Sequence, residues 1–279
     1  MRKLPRQLTY ELVDELTSRM SDVDAAKHLG MSMVPFWNAR KRFGIKSYFE
    51  RTGIRTRKAT GEAYRFHQYD ERFFQNIDTP EKAYFLGLLA SDGNISPRLT
   101  AVRIALKAID QDILECFRKH LGSDAPLLKD KIPKIKGVES APQKILVLSR
   151  IAMVEDLFRW GVTPNKSLTL KIRCEALKDK HLCASFIRGV WDGDGSVTER
   201  RFKVTTGSAD FALQLQEMVF LISQHRLPIK TEMGESGNPL HSLVGYIRDA
   251  RALHAIYANP YPSLERKRQA YELYWEPRR

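Results

Sequence analysis

Apolar residues along this chain change period in a fixed order, and the order runs twice. Thr79-Pro80-Glu81 read as an N-cap, a first-turn proline and a first-turn acid. They open a helix through the apolar run Phe85-Leu86-Gly87-Leu88-Leu89-Ala90, which ends at Ser91-Asp92-Gly93. Val102, Ile104 and Leu106 then alternate with Arg103 and Lys107, which predicts a strand with one basic face. Asp110 is placed to cap an amphipathic helix through Ile113, Leu114, Phe117 and Leu121. A second hairpin follows, with a lysine-rich arm carrying Lys129, Lys131 and Lys134 and an apolar return over 145–148, before a helix through Met153, Leu157 and Phe158. From residue 179 the order repeats. An apolar helix ends at Asp192-Gly193-Asp194-Gly195, a strand places Arg201, Lys203 and Thr205 on one side, Ser208 or Asp210 opens a helix, and a hairpin spans 229–247. The expectation is an α+β protein with a duplicated αββαββα unit, its halves being 69–178 and 179–279.

The first 50 residues have only the helical period. Leu8, Leu12, Val13 and Leu16 mark one apolar face, Ser21 or Asp22 caps a second helix through Ala25 and Ala26, and Gly30 ends it. Ser32 caps a third with Pro35 in its first turn, Phe36, Trp37 and Phe43 turned inward, and Asn38, Arg40, Lys41 and Arg42 outward. Two small residues where helices cross resemble a helix-turn-helix, and those four side chains suit phosphate and base-edge contacts. Residues 51–68 show no period and read as a basic linker, with Arg55, Arg57 and Lys58 able to follow a DNA groove.

The paired helices carry the chemistry. Gly87 and Ser91, like Gly189 and Gly193, stand four apart and so share a helix face without bulk. Two such faces can pack closely on one another. Each helix then stops at a glycine read as a left-handed C-terminal cap, which leaves Asp92 and Asp194, 102 positions apart, at the negative end of a helix dipole. Two carboxylates there repel each other and call for a cation. A divalent metal between Asp92, Asp194 and nearby carbonyls, those of Ser91 and Gly193, satisfies that demand with hard oxygen donors.

These two motifs resemble those of the LAGLIDADG homing endonucleases. Gly87 and Gly189 match the motif's first glycine, Asp92 and Asp194 its second acid, and Gly93 and Gly195 its last glycine. At the first acid the second copy keeps Asp192, whereas the first has Ala90. The resemblance implies a β-saddle over double-stranded DNA, metal-dependent hydrolysis with Mg²⁺ (Mn²⁺ substituting), and a single chain acting as a monomer. It also implies active-site lysines in the turns that close each half, and Lys166 and Lys267 match. Each is either a group near the scissile phosphate or an ordinary surface lysine. A non-cleaving transcription regulator and a maturase bound to intron RNA are the rival readings of the same scaffold.

Composition narrows the partner. Lys and Arg number 46 against 33 Asp and Glu, a formal net charge of +13, which favours a polyanion. Between residues 40 and 58 eight basic residues face one acid. Cys116, Cys174 and Cys183 form neither a disulfide framework nor a zinc pattern, so His181 beside Cys183 reads as structural. No apolar run approaches a membrane span, and the expected location is the cytoplasm or nucleoid.

Overall fold

Thr9, Ser21 and Ser32 each precede a helix in the computed structural model, which describes residues 8–52, 67–129, 134–135, 138–139, 141–258 and 262–276. Thr9 Oγ1 accepts from the Leu12 amide and Ser21 Oγ from that of Asp24, opening α1 (Tyr10–Arg19) and α2 (Asp22–His28). Ser32 begins α3 (Met33–Arg42) without a side-chain cap, and a short α4 (Tyr48–Thr52) follows. Val13, Leu16, Ala25, Ala26, Phe36, Ala39 and Ile45 close a small core. Gly30, at φ +66°, lets the chain turn between α2 and α3.

Two expectations for α3 fail. Trp37 is 42% exposed, and Arg40 is buried, its Nε donating to Asp22 at 2.8 Å and its Nη1 to the Ile45 carbonyl at 2.8 Å. The inward face runs through Phe36, Ala39 and Arg40. Arg40 sits one turn beyond Phe36 and so follows it inward, whereas Trp37 is rotated off that face.

The chain divides into two compact units, Met1–Phe66 and His67–Arg279. In the larger unit the predicted repeat is present. Its first half runs α5 (Pro80–Ser91), β1 (Gly93–Ile95), β2 (Val102–Lys107), α6 (Gln111–His120), β3 (Leu128–Lys129), β6 (Gln143–Leu148) and α7 (Ile151–Arg159), with a two-stranded ribbon β4 (Lys134–Ile135) and β5 (Val138–Glu139) inside the second hairpin. Its second half runs α8 (Lys180–Asp194), β7 (Gly195–Val197), β8 (Phe202–Thr206), α9 (Ala209–Ser223), β9 (Ile229–Met233), β10 (Pro239–Gly245) and α10 (Ala250–Tyr257), and closes with α11 (Glu265–Tyr274). The two sheets have the same antiparallel order, β1-β2-β6-β3 and β7-β8-β10-β9. Among the described residues, the lysine-rich arm contributes Leu128 and Lys129 to its sheet. Lys134 belongs to the ribbon.

Caps explain where helices start. Thr79 Oγ1 accepts from the Lys82 amide beside Pro80, and Ser208 Oγ from the Phe211 amide. Asp110 departs from its expected role. It precedes α6 but makes no cap bond, and its carboxylate instead receives Arg266 at 2.9–3.2 Å, tying the two halves together.

Close contact between α5 and α8 organises everything else. A Cβ added at Gly87 would lie 2.1 Å from the Phe186 carbonyl oxygen, and one at Gly189 would lie 2.0 Å from that of Tyr84. Ala83 through Ala90 are all buried. The outer layer includes Phe85 stacked on Phe117 at 4.3 Å and Trp191 against Phe202.

Candidate active site at the paired helix ends

Asp92 ends α5, its amide bonded to the Leu88 carbonyl at 2.9 Å, and Asp194 is the last residue of α8. The terminating glycines do not adopt the left-handed conformation expected of them. Gly195 is extended at φ −94°, and both glycines begin strands directly. Their lack of a side chain serves contact instead, since a Cβ on Gly93 would meet the Leu89 carbonyl oxygen at 2.4 Å and one on Gly195 the Trp191 carbonyl oxygen at 2.4 Å. The helix pair meets here too. A Cβ on Gly193 would lie 2.0 Å from Ser91 Oγ and 3.0 Å from Asp92 Oδ2.

Neither carboxylate accepts a hydrogen bond among the described residues. Burial first, and the Asp194 charge second, push Asp92 up to about 6. Asp194 reaches solvent, yet the protein crowded around it still raises its carboxyl, against the pull of Lys166 and then Lys267. No group of three or more His, Cys, Asp or Glu side chains converges among the described residues. The donors on offer are therefore two charged oxygens sets and main-chain carbonyls. Two close carboxylates without hydrogen-bond donors fit a hard divalent cation.

Lys166 and Lys267 are not surface residues. Lys166 is 9% exposed, and its Nζ donates to the carbonyls of Ser91 at 3.1 Å and Gly93 at 2.5 Å. Asn165, in the left-handed region at φ 54°, makes the turn that delivers it. Lys267, 5% exposed, donates to the carbonyls of Trp191 at 2.8 Å, Asp192 at 2.5 Å, Gly193 at 3.5 Å and Gly195 at 2.6 Å. Each ammonium thus lies where a helix dipole leaves negative charge. Burial pulls Lys267 down to about 8, with Asp192 opposing. The carbonyls of Ser91 and Gly193, considered as metal ligands from the sequence, already accept from these lysines.

Asp192 is the largest asymmetry between the halves. It is fully enclosed and accepts from Tyr84 Oη at 2.8 Å, Tyr257 Oη at 3.1 Å and the Leu264 amide at 2.7 Å. Leu264 opens α11, so this carboxylate fixes the helix that carries Lys267 three residues later. The first half has Ala90 here. Burial raises Asp192, and Lys267 is the leading influence against that. Sequence reasoning passed over Tyr84 and Tyr257, because neither stands in a motif and their shared partner is remote in the chain.

On β2, Arg103 and Lys107 are exposed while Val102, Ile104 and Leu106 are buried. Arg201 lies just before β8, whose Lys203 and Thr205 are partly exposed, with Thr205 Oγ1 2.8 Å from Ser242 Oγ. Lys129 is exposed on β3. Asn38, Lys41 and Arg42 are exposed on α3. Arg55, Arg57, Lys58 and Lys131 lie outside the described residues, and for Lys134 only the backbone is described.

Residues 182–220 match the LAGLIDADG-like domain family. No curated protein sequence matches the chain. Among solved structures, the homing endonuclease I-WcaI bound to its DNA recognition sequence is similar at a TM-score of 0.50 and 10% identity, over 78% of this chain and 95% of that one. I-DmoI in complex with DNA and Ca scores 0.45 at 13% identity, over 73% and 99%. Full-length DUF199/WhiA from Thermatoga maritima scores 0.43 at 14% identity, over 73% of this chain and 66% of that one. The chain has the LAGLIDADG fold. No helix among the described residues is long and apolar enough to cross a membrane.

Proposed function

We propose that the protein is a site-specific, metal-dependent DNA endonuclease that cuts both strands of a double-stranded target. The observation that carries this reading is the juxtaposition of Asp92 and Asp194 at the ends of two touching helices, both raised by burial and neither neutralised by a hydrogen bond. A divalent cation bound there, Mg²⁺ or Mn²⁺, would polarise water and offset charge on a phosphodiester. Asp92 and Asp194 would hold it. Lys166 and Lys267 take up the carbonyls at the helix ends, which holds the two carboxylates in place, and their positive charge adds to the field felt by an approaching phosphate. The pairing of α5 with α8 keeps the acids together as one site. The two sheets, with Arg103, Lys107 and Lys203 on their solvent faces, supply the DNA-binding surface. The N-terminal helices, with Asn38, Lys41 and Arg42 outward, form an accessory DNA-binding module joined by the basic segment 51–68. The protein acts as a monomer, since one chain holds both acids.

The test is incubation of the full chain with a randomised double-stranded DNA pool and Mg²⁺, followed by sequencing of the cut ends. Recurrent staggered ends at one sequence support the reading. Selective binding without cutting at any Mg²⁺ or Mn²⁺ concentration would replace it with a DNA-binding regulator, and retention of structured RNA alone would favour a maturase.

A further inference from the structure

The two sheets carry matching residues in one row and opposite chemistry in the next. Across directly paired strands, one row reads Asn94, Arg103, Val147 in the first sheet and Ser196, Lys203, Val244 in the second. Each is polar, basic, valine. One row on, Ala105 faces Ile145 and Ile145 faces Leu128, where the second sheet has Thr205, Ser242 and Lys230. Strand alternation puts these rows on the side away from the helices, because Ile104, Leu146, Val204 and Leu243 at the intervening positions belong to the main core. Ile145 is only 6% exposed but stands outside that core, and Leu128 beside it is 47% exposed. In the second sheet the Thr205 and Ser242 hydroxyls are bonded to each other and Lys230 Nζ reaches Tyr246 Oη at 3.2 Å. In the rows beyond, Lys107 pairs with Gln143 in the first sheet and Leu240 with Glu232 in the second, so an apolar first sheet against a polar second is confined to this one row.

We propose that Ala105 and Leu128, with the buried Ile145 between them, form a thymine-reading strip, so that the part of the DNA site beneath the first sheet is selected through thymine methyl groups while the corresponding part beneath the second is selected by hydrogen bonds. The inference rests on the reading of these sheets as a DNA-binding surface. The C5 methyl of thymine is the apolar group that the major groove displays, whereas purine N7 and O6 accept from hydroxyl and ammonium donors. Arg103 and Lys107 flank Ala105 on the same strand and face, so the strip lies between cations suited to the phosphates on either side. An apolar strip so placed has no phosphate affinity of its own. Its gain comes from covering methyl surface.

The experiment uses binding rather than cleavage. Sites are selected from a randomised duplex pool by binding to the full chain, and each thymine of the selected site is then replaced singly by uracil, which removes only the methyl. The penalty expected per contacted thymine is about fourfold in affinity, the factor for withdrawing one methyl-sized group from burial. The sensitive thymines should cluster in one half of the site. Leu128→Gln, at an exposed position, should abolish the penalty there, and Lys230→Met should leave it intact. Uracil without cost anywhere, or a penalty that survives Leu128→Gln unchanged, overturns the proposal. A chain that cuts no DNA yet shows the Leu128-dependent penalty would remove the endonuclease reading and uphold this one. A chain that selects no DNA sequence overturns both.

Discussion

At Lys267 a single ammonium takes four main-chain carbonyls, and at Lys166 another takes two. Replacing Lys267 by Met strands those carbonyls, and each buried group left unmade costs about 1–3 kcal/mol. Lys267→Met should therefore lower the melting temperature as well as slow cleavage by roughly 10- to 1000-fold, the range for losing electrostatic support of a transition state. A stable variant with a wild-type single-turnover rate would remove both roles. Asp192→Ala strands Tyr84, Tyr257 and the Leu264 amide together, so thermal unfolding should show a loss comparable to that for Lys267→Met. At Asp92 the sign of pH dependence is fixed. Its folded value, about 6, stands above its ordinary 3.8, so burial favours the protonated acid. The resulting stabilisation is full below pH 4 and is lost as pH rises through 6. Without divalent metal, wild-type melting temperature should fall relative to Asp92→Asn across that window, and a difference that stays flat would contradict the raised value. The acids were legible in the sequence because each ends a repeated motif. The lysines were legible as positions but not in what they touch, since their partners are backbone carbonyls more than 70 residues away and carry no side-chain signature.

Among the elements, the helix pair shows what small residues accomplish. Gly189→Ala puts a methyl group 2.0 Å from the Tyr84 carbonyl oxygen, backbone that cannot swing aside, so α5 and α8 must separate. Overpacking of this kind typically costs about 1–3 kcal/mol, and here it also moves Asp194 relative to Asp92. Calorimetry should record the loss in stability, and an unperturbed melting temperature would mean the helices have slack. This contact was readable from the four-residue spacing of Gly87 with Ser91 and Gly189 with Gly193. The strand alternation of β2 and β8 was equally plain. Other elements were misread for identifiable reasons. Helix α3 has apolar residues on more than one side, so its phase could not be set without the partners of Arg40. Gly93 and Gly195 were read as turn formers, although what demands glycine is the carbonyl one turn back. Asp110 sits where a cap belongs, and only the fold brings Arg266 to it.

For the whole molecule, the proposed function assigns chemistry to the duplicated unit and affinity to the leading helices. Removing residues 1–66 deletes a compact unit of its own with the basic residues that follow α3. Affinity for the target should fall by about 10²-fold or more, as expected when a linked module is lost. The slope of log affinity against log salt should flatten by about 0.9 for each phosphate contact removed. Cutting at saturating protein should keep the same phosphates, and an unchanged affinity with an unchanged slope would show that the N-terminal helices do not touch the target. The central claim is that Asp92 and Asp194 form one metal-dependent hydrolytic site. Its most direct test compares wild type, Asp92→Asn and Asp194→Asn on one selected DNA duplex with Mg²⁺, measuring bound fraction and double-strand breaks in the same samples. The account predicts that both variants bind the duplex and neither breaks both strands, whereas wild-type cutting by either variant would contradict it.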